Sequence, residues 1–317
     1  MGEFEIIRQY FSGIGDSSAQ VLGVGDDCAL LSVPSGKQLA FSIDTQVADL
    51  HFPADAPADF IARRALRCAL SDLAAMGASP HSFTLALTLP EADEAWLALF
   101  SEGLKKDANT FQCALVGGDT TRGPLTLSFQ VQGFVSEGDA LLRSSAKPGD
   151  LVFVSGTLGD AAAGLSLLNP ENTCDKKDSK YLLERYFFPQ PHLDLGKRLC
   201  RLAHACIDVS DGLLADLGHI CQSSGVAARL NMDNVPRSPE LMRYAGEQAL
   251  QLATAGGDDY ELCFTLPKEK QHDIQQLAKT LGIVLTEIGE ITEGEGVHCF
   301  NSEGAVFQPD YEGFHHF

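Results

Sequence analysis

The sequence predicts an α/β protein of two domains, and three observations carry that expectation. The chain has 317 residues, about twice the usual length of a single domain. Its first half alternates short apolar runs with segments of helical periodicity. A turn-rich stretch, Ser144-Ser-Ala-Lys-Pro-Gly-Asp150, then interrupts the chain, after which the alternation starts again.

Taken in order, Ala40-Phe-Ser-Ile43 reads as a strand. Pro57 to Met76 carries apolar residues at helical spacing (Phe60, Ile61, Ala65, Leu66, Ala69, Leu70, Leu73) and stops at Gly77, so it reads as a helix. Phe83–Leu89 is a strand, Glu91–Lys106 a helix, Cys113–Val116 a strand and Leu125–Val135 a long strand. Leu151-Val-Phe-Val-Ser155 opens the second half, and the turn Gly156-Thr-Leu-Gly-Asp160 leads into an Ala-rich helix. The polar residues 170–180 read as a surface loop. The expected organisation is an N-terminal domain over residues 1–140 and a C-terminal domain over 149–317.

Composition narrows the class. Apolar residues make up 44% and charged residues 21%, an ordinary globular balance. A chain of this length buries well over half its unfolded surface and needs no disulfide or metal to fold. With 23 Lys+Arg against 43 Asp+Glu the formal charge is −20, which argues against nucleic acid as a partner. The nine cysteines are odd in number and include no Cys-x-x-Cys pair, as expected of reduced core residues in a cytoplasmic protein. Neither a signal peptide nor an apolar run of membrane-spanning length is expected.

The acidic residues are not spread evenly. Gly23-Val-Gly-Asp-Asp-Cys28, Ser42-Ile-Asp-Thr45, Ser71-Asp72, Gly117-Gly-Asp-Thr-Thr121, Ile207-Asp-Val-Ser-Asp-Gly212 and Gly256-Gly-Asp-Asp259 repeat one design. In each, an aspartate sits among glycines or small hydroxylic residues after an apolar run. Aspartate is a poor strand residue, and an unpaired buried charge is expensive. Placed at strand ends it faces the position where open α/β sheets bind ligands. Dispersed carboxylates are hard ligands and suit magnesium, which uses one or two of them together with substrate phosphates. The plainer reading is that Gly-Asp pairs are turns and that Asp211 caps the helix after it. Asp72, inside a helical pattern, is not explained by a turn.

No Gly-x-x-x-x-Gly-Lys-[Ser/Thr] loop, kinase His-Arg-Asp, Asp-Phe-Gly or EF-hand loop is present. Arg143 is a candidate phosphate clamp, and the Gly156 turn a weaker one. Ser210 lacks the spacing of a nucleophile elbow, and His51 stands alone on a polar loop.

Six words occur in a fixed order: Gly25-Asp-Asp-Cys-Ala, Ser42-Ile-Asp-Thr, Leu70-Ser-Asp-Leu-Ala-Ala-Met-Gly-Ala, Val116-Gly-Gly-Asp-Thr-Thr-Arg-Gly, Ile207-Asp-Val-Ser-Asp-Gly-Leu and Gly256-Gly-Asp-Asp-Tyr-Glu-Leu. The series closely resembles the thiamine-monophosphate kinase family, of the aminoimidazole-ribonucleotide-synthetase-like superfamily, over nearly the whole chain. The resemblance implies a two-domain fold of that type, with N-terminal-domain strands pairing into a barrel shared by a homodimer. It implies magnesium-dependent transfer of the ATP γ-phosphoryl group directly to thiamine monophosphate. By the same resemblance Asp27, Ser42, Asp44, Asp72, Asp119, Asp208 and Asp211 look like metal ligands, with Ile43 adding its carbonyl. Gly118, Asp119, Arg143 and Ser210 look like nucleotide contacts, and His51, Phe314 and either Asp259 or Glu261 look like thiamine contacts. Two stretches depart from the family: Gly257-Asp258-Asp259 replaces the common Gly-Gly-Glu-Asp, and Gly313-Phe-His-His-Phe replaces an ending in Gly-Tyr/Trp-Asp-His-Phe. The rival expectations are a sister ATP-dependent synthetase and a non-catalytic, metal-bridged nucleotide sensor.

Overall fold

The structure, a computed structural model, describes residues 2–15, 20–24 and 27–307. They fall into two compact units, one of the described residues up to Leu73 together with Ala78–Gly138, the other of Ala74–Gly77 together with the described residues from Asp139 onward.

In the first unit, α1 (Glu3–Ile6) and a ribbon of β1 (Gln20–Leu22) and β2 (Leu30–Leu31) precede the main sheet. That sheet contains β3 (Lys37–Val47), β4 (Ser79–Leu89), β5 (Ala114–Arg122) and β6 (Thr126–Ser136), in the order β3-β6-β4-β5. The β4–β5 pair is parallel and the other two are antiparallel. Strand β6 shows how the sequence makes the sheet one-sided. Leu127, Phe129, Val131 and Val135 are buried, while Thr126, Ser128, Gln130 and Gln132 point to the other face.

Two long helices, α2 (Ala58–Ala75) and α3 (Glu94–Phe111), bury the apolar rows that their periodicity announces. Asp93 caps α3 by accepting the Ala95 and Trp96 N–H groups, so the helix starts after the expected Glu91 and continues past Lys106. Strand β5 also outruns its expected end at Val116. It keeps a parallel partner in β4 through Gly118 and Asp119 to Arg122.

Asp107 is a fully buried charge on the inner face of α3. Arg67 grips it through Nε at 2.5 Å and Nη2 at 3.1 Å, and Arg63 Nε adds a contact at 3.3 Å. Removing one side of a buried ion pair strands the other, so Asp107→Ala should lower unfolding free energy by about 3–5 kcal/mol in urea denaturation.

The second unit contains β7 (Leu151–Ser155), α4 (Asp160–Ser166), α5 (Lys176–Phe187), α6 (Leu193–Leu199), β8 (Ala205–Val209) and α7 (Leu213–Ser224). It continues with β9 (Ala227–Asn231), α8 (Pro239–Ala245), α9 (Ala249–Ala255), β10 (Glu261–Leu266), α10 (Gln271–Leu281), β11 (Leu285–Thr292) and β12 (Gly296–Phe300). Its sheet runs β12-β9-β11-β7-β10-β8, with β12 and β9 the parallel pair. Strands β7, β8 and β10 are buried along their whole length, which is why Leu151-Val-Phe-Val reads as a continuous apolar run, while β8 and β10 carry the buried acids Asp208 and Glu261 within theirs. The loop expected over 170–180 is in part helix. Asp175 accepts the Lys177 N–H to start α5, whose polar first turns lead to buried Leu182, Tyr186 and Phe187. Among the described residues, no helix is long and apolar enough to cross a membrane.

Candidate active site

Strand β3 is an edge strand whose alternation sorts its residues by chemistry. Leu39, Phe41 and Ile43 are exposed on one face, Ile43 at 68%. Ser42, Asp44 and Gln46 alternate with them on the other face. Ser42 Oγ donates to Asp72 Oδ2 at 2.5 Å, joining β3 to the last turns of α2. Asp44 Oδ2 lies 3.4 Å from its donor, Gln46 Nε2. Burial pushes the Asp44 carboxyl above its ordinary pKa; the Gln46 hydrogen bond opposes this, and neighbouring Asp72 adds to it. His51 and the buried Arg64 pull the other way. Gln46 Oε1 and Ser71 Oγ are buried without a hydrogen-bond partner among the described residues. His51 Nδ1 accepts the Val47 N–H at 3.0 Å in the turn after β3.

Asp44 and Asp119 were expected at strand ends and instead lie inside β3 and β5. Both strands are sheet edges, where one flank lacks a strand partner and a polar side chain is tolerated. Exposed Gly118 and Asp119 line a cavity of about 410 Å³ together with Asp27. The rest of its wall is mostly apolar, with Ile7, Phe11, Val24, Leu85 and Leu115. Gly118 is required by close packing, because a Cβ there would lie 2.1 Å from the Leu85 carbonyl oxygen.

In the second unit Asp208 is buried near the end of β8, and Ser210 and Asp211 follow half-buried. Asp211 was a candidate cap for the next helix, but the cap position falls on Gly212, with no side-chain bond. The segment is tied instead by Asp216, one turn inside α7. Its Oδ2 accepts the N–H groups of Ser210, Asp211 and Gly212 at 3.0, 3.0 and 3.1 Å. Burial, then the charges of Asp208 and Asp211, push its carboxyl up to about 7. Asp216 was not among the sequence candidates. Its signal is a lone aspartate inside the apolar run Leu213-Leu-Ala-Asp-Leu217. One ligand atom each from Asp211, Asp216 and His219 lies within 4.8 Å of the others.

The Gly256–Tyr260 turn sits against this segment. Asp258 N–H donates to the Ser210 carbonyl and Tyr260 N–H to the Val209 carbonyl, both at 2.8 Å. Asp258 and Tyr260 have φ of 65° and 52°, left-handed values that non-glycine residues rarely adopt. Asp259 and Glu261, the two acids singled out from the sequence, are each 2% exposed and hold internal partners. Asp259 accepts the Gly159 and Ala161 N–H groups, and Glu261 pairs with Arg185 and His192. Asp258 is the half-buried acid of the stretch. Arg143 is exposed, with its carbonyl accepting Ser224 Oγ–H at 2.8 Å. Phe314 lies outside the described residues.

Two family models match this chain, AIR synthase related protein, N-terminal domain, over residues 25–135, and AIR synthase related protein, C-terminal domain, over residues 147–300. The chain therefore belongs to the AIR synthase related proteins. Within that family it is 48% identical over 320 residues to the thiamine-monophosphate kinase of Escherichia coli K12, spanning 100% of this chain and 98% of that protein. In three dimensions it is similar to the crystal structure of thiamine-monophosphate kinase from Stenotrophomonas maltophilia K279a. The TM-score is 0.86 at 45% identity, over 92% of this chain and 93% of that one. It is also similar to AaThiL complexed with AMPPCP and TMP, with TM-score 0.81 at 32% identity, over 90% of this chain and 89% of that one.

Proposed function

We propose that this chain transfers the γ-phosphoryl group of ATP directly to the phosphate of thiamine monophosphate, giving thiamine diphosphate and ADP. The carrying observation is the carboxylate of Asp44 beside the Ser42–Asp72 pair, in a chain 48% identical end to end to a kinase of that name. The acceptor is a phosphate monoester, already anionic at neutral pH, so the chain needs no covalent residue and no strong general base. What its residues must do is align two polyanions and exclude other acceptors.

The donor set fits magnesium. Asp27, Asp44, Asp72, Asp119, Asp208 and Asp211, with the Ser42 hydroxyl and the Ile43 carbonyl, offer oxygen throughout and no sulfur or imidazole. Gln46 Oε1, buried beside Asp44 and without a hydrogen-bond partner among the described residues, is an oxygen that a bound cation or its water would satisfy. Bound magnesium would neutralise phosphate charge that these carboxylates would otherwise repel.

In this reading the N-terminal domain binds magnesium–ATP. Gly118 and Asp119 present backbone and carboxylate to the phosphates, and the apolar cavity beside them takes the base. In the C-terminal domain, Arg143 and Ser210 are the nucleotide contacts and Asp208 and Asp211 the metal ligands. His51, Phe314 and an acid of the Asp258–Glu261 stretch meet the thiamine. The burial of Asp259 and Glu261 favours Asp258 for that contact. The enzyme acts as a cytoplasmic homodimer. Its β3 edge, with Leu39, Phe41 and Ile43 exposed on one face, supplies an apolar strip for the partner's sheet.

The test is product analysis. Protein, magnesium–ATP and thiamine monophosphate should yield thiamine diphosphate and ADP in equal amounts, and a chelator should stop both. ATP consumption without thiamine diphosphate would point to a sister synthetase, and no consumption at all to a sensor.

A further inference from the structure

Behind the Asp258 turn, the second unit contains a buried ionic core that phosphoryl transfer itself does not use. Arg185, near the end of α5, is its centre. Its Nη2 donates to Glu261 Oε1 at 2.7 Å and to the Thr157 carbonyl at 3.2 Å. Its Nε lies 3.6 Å from Asp160 Oδ2. The second Glu261 oxygen accepts the Ser155 hydroxyl and lies 2.6 Å from His192 Nε2. Asp160 accepts the hydroxyls of Ser238 and Thr157, both at 2.5 Å, and of Tyr181 at 3.2 Å. Asp259 is held by the Gly159 and Ala161 N–H groups at 2.7 and 3.3 Å.

Three carboxylates share this volume, all of them buried. Such a group is tolerated only around a well-placed cation, and Arg185 is the permanent one. The Glu261 carboxylate lies directly on Gly156, where a Cβ would come within 2.3 Å of Oε1, so glycine there leaves the space the pair with Arg185 occupies. Glu261 is also the first residue of β10, in register with Val209. It directly follows Tyr260, whose N–H reaches the Val209 carbonyl, and stands three residues after Asp258, whose N–H reaches Ser210. The turn is therefore held from two sides. Backbone bonds tie it to Val209 and Ser210, and the side chains of Asp259 and Glu261 anchor its far end. Left-handed backbone at two non-glycine residues persists only where the surroundings over-determine it.

We propose that Arg185 is a positioning residue. By fixing Glu261 against Thr157 and Asp160, it keeps the Asp258 turn in register with Ser210 and Asp211, and so sets the affinity for the phosphate acceptor. The affinity clause rests on the kinase reading given above, and the positioning clause does not.

The test uses the full chain with Arg185→Lys and Arg185→Met. Lysine keeps the charge, so the fold has its cation even if the methionine variant fails to fold. A single ammonium cannot reproduce the fork that reaches Glu261 and Thr157 beside Asp160. Hydrogen exchange should show residues 256–261 exchanging at least about tenfold faster in Arg185→Lys, with β7 and β11 unchanged. In steady-state assays the KM for thiamine monophosphate should rise about tenfold or more while kcat changes less than about threefold. Added to Asp258→Ala, Arg185→Lys should raise KM no further, because both act through one turn. Unchanged exchange over 256–261 overturns the proposal, as does faster exchange spread evenly over the whole second unit. A further, multiplicative rise in KM on the Asp258→Ala background overturns the affinity clause. If the wild-type protein forms no thiamine diphosphate, the kinase reading fails, and the exchange result still decides the positioning clause.

Discussion

Asp44→Asn is expected to lower kcat by about a thousandfold, the scale on which a preorganised charged group acts in phosphoryl transfer. The substitution is nearly isosteric, so packing between β3 and α2 survives. What disappears is an anionic oxygen beside Asp72 and Ser42, the one proposed above to meet the metal. The same change should make the metal-free protein more stable. The Asp44 carboxyl is pushed upward first by burial, opposed by Gln46 and reinforced by Asp72, so its charged form is a net burden on the fold at neutral pH. Thermal melting followed by circular dichroism should show a midpoint raised by about a few degrees. A variant that keeps its turnover, or that loses turnover because it has unfolded, would contradict this account of Asp44.

Gly118→Ala is expected to raise the KM for ATP about tenfold or more, a loss of about 1.4 kcal/mol in nucleotide affinity. The added Cβ would lie 2.1 Å from the Leu85 carbonyl oxygen and 3.0 Å from its carbon, and both are backbone atoms of the neighbouring strand. Strand β5 would have to leave β4 at the wall of the cavity that contains Asp27 and Asp119. Overpacking of this kind costs about 1–3 kcal/mol of stability, which chemical denaturation can measure. Gly117→Ala supplies the contrast. Its Cβ would meet only Thr84 Cγ2 at 3.7 Å, an ordinary contact, so its stability should stay within about 0.5 kcal/mol of the parent.

The two cases show which parts of the molecule a sequence discloses. Helix α2 was legible because its apolar residues recur every three or four positions, and α2 in turn located Asp72. The identities of the acidic residues were also legible, because aspartate among glycines contradicts the strands around it. Their settings were less so. Asp44 and Asp119 lie within strands, because β3 and β5 are edges, and edge status is decided by strand order rather than by local pattern. Asp216 went unnoticed because it looks like one polar residue in an apolar helix, and only the fold brings its oxygen under three amides. The Arg185–Glu261 pair joins residues 76 positions apart, a separation that leaves no periodic trace. In the Asp258–Glu261 stretch the resemblance points to Asp259 or Glu261, yet both are buried on internal partners, a setting that no local sequence pattern discloses. Residues 176–180 read as loop because the first turns of α5 are almost wholly polar, although Asp175 is a recognisable cap.

The proposed reaction needs the named carboxylates to hold divalent ions against phosphate groups. Counting manganese bound per chain by electron paramagnetic resonance, with a non-hydrolysable ATP analogue and thiamine monophosphate present, tests it most directly. Wild-type protein should bind more than one ion, and Asp72→Asn and Asp211→Asn should each bind fewer. An ion count that is the same in the wild type and in both variants would contradict the account.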